Sequence, residues 1–174
     1  MNNAGTGGGE ISWIQGTVTL PSELPPAVLR SIYDVNVFGV VAVTQAFLPL
    51  LRSSRAGRIV NVSSGLGSFG LNTDPQFSGA ALTALGYKSS KAALNMVTLM
   101  FAQELRGTAV KVNAVSPGLV ATDLGGIGGA EKFKGSPGFS SPEEGARVVV
   151  TFATLPDDGP TGEFHDFASG RLPW

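Results

Sequence analysis

The stretch Gly57-Arg58-Ile59-Val60-Asn61-Val62-Ser63-Ser64 decides the fold class of this chain. A short run of β-branched residues between turn residues is typical of a strand that is buried on both faces of a parallel sheet. A second run of this kind, Val110-Lys111-Val112-Asn113-Ala114-Val115, ends at Ser116-Pro117-Gly118. A short third strand is predicted around Gly162 to Phe167.

Helices are predicted around these strands, over residues 26–52, 87–106 and 141–155. The first opens on Pro25-Pro26, which a first helical turn tolerates, and the second stops at Gly107. Apolar residues cover most of the circumference of the first helix, so we expect it to be buried against the sheet and against a partner. Helices that alternate with apolar strands predict an α/β fold with a doubly wound parallel sheet in three α/β/α layers.

The amino-acid composition excludes several classes of function. The chain has 174 residues, a net charge of −1, and 43% hydrophobic against 14% charged residues, which suits a single domain over residues 1–174. The balanced charge gives no electrostatic footprint for nucleic acid or an anionic membrane. Without cysteine, and with His165 as the one histidine, no metal site is predicted and a Ser-His-Asp site is improbable.

The N-terminus shows no signal peptide, and no run of eighteen uninterrupted apolar residues predicts a membrane span. We therefore expect a soluble cytoplasmic protein. His165 is expected to be a surface or strand-end residue rather than a catalyst.

The segment Gly65-Leu66-Gly67-Ser68-Phe69-Gly70 is a literal GxGxxG that directly follows a predicted strand. A dinucleotide fingerprint also needs a helix that starts there and an acid about twenty residues later. Turn residues follow instead, over Leu71 to Pro75, and the first acid after Asp74 is Glu104. We therefore interpret this segment as a loop rather than a phosphate-binding turn.

Tyr87 and Lys91 are the informative pair, because residues four apart share one face of a helix. A nearby cation stabilises a phenolate and lowers its pKa, so such a tyrosine can exchange a proton with a carbonyl or alcohol oxygen. By itself, a Tyr-x-x-x-Lys pair is more often a surface contact than a catalytic one.

This pair occurs with four other motifs in a fixed order. The five motifs are Asn2-Asn3-Ala4-Gly5, Asn36-Val37-Phe38-Gly39, the stretch from Gly57 to Ser64, Tyr87-x-x-x-Lys91, and Pro117-Gly118-x-x-x-Thr122. Together they resemble the short-chain dehydrogenase/reductase family, in particular its carbonyl-reductase-like bacterial members. The resemblance implies a Rossmann-type fold.

The resemblance implies NAD(P)-dependent carbonyl reduction or alcohol oxidation by hydride transfer. Tyr87 would be the general acid or base, and Lys91 would lower its pKa and bind the nicotinamide ribose. Ser64 would hold the substrate oxygen, and Asn36 would position a water that relays the proton past Lys91.

The remaining implied contacts concern the cofactor, which is NADP(H) or NAD(H), with the resemblance favouring NADP(H). The residues that would line it, besides Tyr87 and Lys91, are Asn3, Ala4, Gly5, Pro117, Gly118, Val120 and Thr122. The substrate would be a small carbonyl compound or alcohol, and its pocket falls in the variable segment Gly125–Phe139. The two long helices resemble those that the family uses to form dimers, so a homo-oligomer is expected.

One departure from the family pattern bears on function. The chain starts at the Asn-Asn-Ala-Gly motif, so the strand and glycine-rich turn that cradle the pyrophosphate in complete members are not in this sequence. We expect the strand at Ile59 to Ser63 to lie at a sheet edge, and we expect low cofactor affinity and marginal stability. Three interpretations stay open: part of a longer reductase, a non-catalytic dimerisation module, or a chain that is active with a complementary N-terminal half.

Overall fold

The computed structural model describes residues 1–12, 17–125 and 128–174. Trp13 and Ile14, part of an apolar patch near the N-terminus, lie outside the described residues, as do Gly126 and Ile127 of the predicted substrate segment. The strands are β1 (Ile11–Ser12), β2 (Thr17–Val18), β3 (Arg58–Val62), β4 (Lys111–Ser116), β5 (Phe164–Asp166) and β6 (Gly170–Arg171). The helices are α1 (Pro26–Tyr33), α2 (Val40–Ser53), α3 (Phe69–Asn72), α4 (Leu85–Glu104), α5 (Gly129–Phe133) and α6 (Pro142–Ala153).

The main sheet has the order β3-β4-β5-β6, in which β3, β4 and β5 are parallel and β6 is antiparallel. Successive side chains of a strand point to opposite faces of its sheet. Accordingly, Ile59 packs with Ala102 of α4, and its neighbour Val60 packs with Val149 of α6. Helices thus cover both faces of the sheet, which confirms the predicted α/β fold class.

The predicted helix over residues 26–52 is interrupted by a π-helical turn at Asp34–Gly39 between α1 and α2. Within this turn the fully buried side chain of Asn36 bonds the backbone of Thr6 and the hydroxyl of Ser90. Apolar periodicity cannot reveal a turn that distant bonds hold in place. The sequence did not predict the antiparallel pair β1–β2 or the short elements α3, α5 and β6.

In the described part of the chain, strand β3 is the edge of the main sheet, as predicted. On its outer side, Asn2 alone of the described residues pairs with β3: its N–H donates to the Val60 carbonyl at 2.9 Å, and its carbonyl accepts from the Val62 N–H at 3.0 Å. The Asn2 side chain donates to Asn61 Oδ1 at 2.8 Å. These bonds fix the start of the Asn3–Gly5 segment beside the carboxyl end of β3.

Helices α2 and α4 expose large apolar side chains, including Phe47 (55% exposed), Leu50 (67%) and Met96 (56%). By length and mean hydropathy alone, the helical stretch Pro26–Ser53 could cross a membrane, which for one helix is weak evidence. Ile32, Val37 and Val40 of the same stretch are buried inside the fold.

Candidate functional site

A cavity of about 760 Å³ opens where β3 and β4 reach their carboxyl ends, the edge at which open α/β sheets bind ligands. It brings together most of the residues that the sequence singled out. Among its lining residues are Asn3, Gly5, Ser64, Tyr87, Lys91, Pro117, Gly118, Val120 and Thr122. Two predicted residues, Ala4 and Asn36, do not line it.

Tyr87 lies in the first turn of α4, with its side chain almost fully buried at the wall of the cavity. Burial raises the pKa of its phenol, because the phenolate loses solvation, and a hydrogen bond with the Ser64 side chain partly opposes this rise. The site therefore holds Tyr87 as a neutral phenol at neutral pH.

Lys91 lies one helical turn after Tyr87, with its Nζ 5.6 Å from the centroid of the Tyr87 ring. Its ammonium donates a hydrogen bond of 2.9 Å to the carbonyl of Val62, and burial lowers the pKa of Lys91 to about 8. In this structure burial and Ser64 shift the pKa of Tyr87, and the hydrogen bond of the Lys91 ammonium goes to β3 rather than to the phenol. That Lys91 lowers the pKa of Tyr87 stays a prediction.

Ser64 begins the short 3-10 turn Gly65–Gly67, and its Oγ accepts a hydrogen bond of 3.2 Å from the Leu66 N–H. The glycines of the GxGxxG segment serve packing. A Cβ on Gly67 would lie 2.6 Å from the carbonyl carbon of Lys91, and one on Gly70 would lie 2.8 Å from Pro173 Cβ. None of these three glycines lines the cavity. The four-residue helix α3 does start inside the segment, where only turns were expected.

Asn36 lies outside the cavity lining but is hydrogen-bonded to residues next to it. Its Oδ1 accepts from the Thr6 N–H at 2.8 Å, and its Nδ2 donates to the Thr6 carbonyl and to Ser90 Oγ, each at 2.9 Å. Ser90 Oγ in turn donates to the carbonyl of Tyr87 at 2.8 Å. The side chain of Asn36 therefore joins the segment after Asn3–Gly5 to the helix that carries Tyr87 and Lys91. A role in ordering a water stays a prediction.

Sequence reasoning missed Glu10, which is 2% exposed. Its carboxylate accepts hydrogen bonds of 2.9 Å from the N–H groups of Gly86 and Tyr87. No local pattern signals this contact, because 76 residues separate Glu10 from Gly86. Ser90 was missed as well, although its place between Tyr87 and Lys91 on one helix could have suggested it.

His165 lies on β5, outside the cavity, with its Nε2 2.7 Å from Glu163 Oε2 and its ring 4.6 Å from that of Phe152. This agrees with the predicted strand-end role. In the described ranges no group of three His, Cys, Asp or Glu side chains could hold a metal ion.

Comparison with known proteins identifies the family. Residues 1–127 match the short chain dehydrogenase family. A short-chain dehydrogenase of Penicillium roqueforti, anuI, is 40% identical over 129 residues, which are 72% of this chain and 48% of that protein. The C-signal protein of Myxococcus xanthus is 28% identical over 175 residues, covering 100% of this chain and 90% of that protein.

A solved structure shows the same fold. The NADPH-bound carbonyl reductase from chicken fatty liver superposes with a TM-score of 0.75 at 24% identity, over 99% of this chain and 64% of that one. The chain thus spans about half the length of the Penicillium relative and about two thirds of the chicken enzyme. It belongs to the short-chain dehydrogenase family.

Proposed function

We propose that this short-chain dehydrogenase reduces a carbonyl compound with a nicotinamide cofactor, with Tyr87 as the proton donor. One observation carries the proposal: Ser64, Tyr87 and Lys91 line a single cavity, in which the Ser64 side chain partly offsets the effect of burial on the pKa of Tyr87. Each of these residues has an ordinary structural explanation alone. A buried phenol that shares a cavity with a hydroxyl and a buried ammonium is a constellation suited to proton transfer.

In this proposal Ser64 and Tyr87 bind the carbonyl oxygen of the substrate, and Lys91 stabilises the Tyr87 phenolate. When bound, the reduced nicotinamide supplies the hydride to the carbonyl carbon. Ser64 and Tyr87 donate hydrogen bonds to the carbonyl oxygen, and Tyr87 delivers its proton as negative charge develops there. The ammonium of Lys91 then stabilises the phenolate until a proton returns. Alcohol oxidation is the same sequence reversed.

The protonation state of Tyr87 favours the direction of reduction. Because burial raises the pKa of Tyr87, the phenol keeps its proton at neutral pH and can act as the acid. Oxidation needs the phenolate, and therefore a higher pH.

The cavity fits the nicotinamide and ribose end of the cofactor. Asn3, Gly5, Pro117 and Gly118 line it, and a Cβ on Gly5 would lie only 3.4 Å from Lys91 Nζ. The missing side chain at Gly5 leaves room for a ribose hydroxyl beside the ammonium. We assign these residues, together with Ala4, Val120 and Thr122, to cofactor binding. The chicken carbonyl reductase that shares the fold was solved with NADPH, which supports NADP(H) here.

The walls of the cavity indicate the substrate class. Among the described residues that line it, Lys91 and Asp123 are the only charged ones. Phe133 and Phe139 line it with their rings stacked 4.4 Å apart, and Leu66 and Leu119 add further apolar surface. An uncharged, apolar ketone or aldehyde fits such walls better than a phosphorylated or carboxylated substrate does.

We also propose that the protein forms homo-oligomers through α2 and α4 in the cytoplasm. The exposed Phe47, Leu50 and Met96 support this, because apolar surface concentrated on two long helices marks an interface. A purely non-catalytic dimerisation module is not favoured, since it would not need Ser64, Tyr87 and Lys91 around a common cavity.

The test is consumption of NADPH by the purified chain with a panel of aromatic and alicyclic ketones, at up to millimolar NADPH. We expect slow turnover that Tyr87→Phe abolishes and Tyr33→Phe leaves unchanged; Tyr33 is the matched control because the chain has two tyrosines and Tyr33 lies outside the cavity. No turnover by the parent chain, or equal turnover by Tyr87→Phe, would refute the proposal.

A further inference from the structure

The start of helix α4 lacks a cap of its own. Its N-cap residue, Ala84, has no side chain that can accept a hydrogen bond from the first turn. Helix α6 shows the ordinary solution: Ser141 accepts from the Glu144 N–H at 3.2 Å, and Glu144 Oε2 accepts from the Ser141 N–H at 2.8 Å. Helix α4 needs acceptors from elsewhere in the chain.

Glu10 supplies those acceptors. Its Oε1 accepts from the Gly86 N–H and its Oε2 from the Tyr87 N–H, both at 2.9 Å. The negative carboxylate also lies at the positive end of the helix dipole, where it is stabilised. Gly86 makes this approach possible, because a Cβ there would lie 3.2 Å from Glu10 Oε2 and 2.6 Å from Ile32 Cδ1.

The backbone of Glu10 is held as firmly as its side chain. Its N–H donates to the Gly7 carbonyl at 2.9 Å, and its carbonyl accepts from the Thr19 N–H at 2.9 Å. The turn contains Gly8 and Gly9 at φ values of 59° and 76°, which glycine adopts without strain. This turn directly follows Asn3–Gly5, so Glu10 connects the cofactor side of the cavity to the helix that carries Tyr87.

We propose that Glu10 is a positioning residue for the reaction: its carboxylate holds the first turn of α4 and so sets where the Tyr87 phenol meets Ser64 and the substrate oxygen. This inference rests on the proposed function. Glu10 does not line the cavity and acts through Tyr87. A misplacement of about 1 Å at a reacting group can lower a rate a hundredfold, so the loss of this clamp acts on the chemical step.

The kinetic experiment compares Glu10→Gln with Ile59→Val in the full chain. Glutamine keeps the size of the side chain and one acceptor oxygen, but its NH₂ group faces an N–H donor. Ile59→Val, in the cluster that joins β3 to Ala102 near the far end of α4 and to Val112 of β4, gives a modest loss of stability unrelated to Tyr87. We expect Glu10→Gln to lower the apparent kcat at fixed NADPH roughly ten- to hundredfold, with little change in the KM of the ketone. Ile59→Val keeps the parent kcat.

An amide hydrogen-exchange measurement separates this inference from the proposed function. In Glu10→Gln the amides of Gly86 and Tyr87 should exchange roughly tenfold faster, while those in the middle of α4 keep their protection. If the parent chain shows no turnover, the proposed function fails and the exchange result alone decides for or against Glu10. An unchanged kcat in Glu10→Gln, an equal fall in Ile59→Val, or unchanged exchange at Gly86 and Tyr87 would overturn the inference.

Discussion

Replacing Gly67 by alanine tests how the segment after β3 packs on helix α4, which carries Tyr87 and Lys91. An added Cβ would lie 2.6 Å from the carbonyl carbon of Lys91 and 2.8 Å from the backbone nitrogen of Ala92. Both atoms belong to the backbone of α4, so no side chain can rotate to relieve the contact. The helix must move away from the turn that carries Ser64.

The neighbouring Gly65 provides the matched control. A Cβ there meets Leu71 Cδ1 at 3.4 Å, an ordinary contact, and neither Gly65 nor Gly67 has a positive φ. Each substitution reduces the entropy of the unfolded chain, which stabilises the folded state by about 0.4–1 kcal/mol. Overpacking costs about 1–3 kcal/mol, at the upper end where backbone atoms collide.

We therefore expect Gly67→Ala to lower the free energy of unfolding by about 2 kcal/mol, and Gly65→Ala to raise it by up to about 1 kcal/mol. For a chain of this size the first change lowers Tm by roughly 4–8 °C. Urea unfolding followed by circular dichroism measures the free energy of unfolding of both variants. Equal stability of the two variants would contradict the packing argument, and loss of NADPH binding in Gly65→Ala alone would restore the phosphate-loop interpretation.

Three further predictions follow from the site and the surface. Burial lowers the pKa of Lys91 to about 8, below its ordinary 10.5, so between these pH values the unfolded chain binds more protons than the folded one. The free energy of unfolding should therefore rise as pH increases from about 8 to 10.5, and Lys91→Met should remove this rise in urea titrations across that range. The same pKa predicts that ketone reduction declines above about pH 8, when the ammonium that stabilises the phenolate is lost, and a rate that stays flat to higher pH would contradict this role. Phe47→Glu should dissociate oligomers in sedimentation experiments while leaving Tm nearly unchanged, whereas Leu20→Glu, at an exposed loop position, should have no effect; a parent chain that sediments as a monomer would remove the proposed interface.

Short-range patterns were sufficient for the fold class and for much of the cavity. The β-branched runs at β3 and β4 identified buried parallel strands, because side chains on both faces of such strands must be apolar. The spacing of Tyr87 and Lys91 placed them on one face of α4, and both line the cavity. The predicted boundaries of the long helices were correct to within a few residues, except at the π-helical turn.

Only the tertiary structure decided the hydrogen-bond partners of the site residues, because these partners lie far away in the chain. Glu10 lies 76 residues from Gly86, and no periodicity links an acid in a glycine-rich turn to the start of a distant helix. The side chain of Asn36 is hydrogen-bonded to Thr6 and Ser90, and the ammonium of Lys91 is hydrogen-bonded to the carbonyl of Val62. The sequence by itself determined which residues are predicted to carry the chemistry, and most of them line one cavity. The packing of α4 against β3 and the Gly7–Glu10 turn determined how they are oriented and charged, since both depend on burial and on bonds that form only in the folded chain.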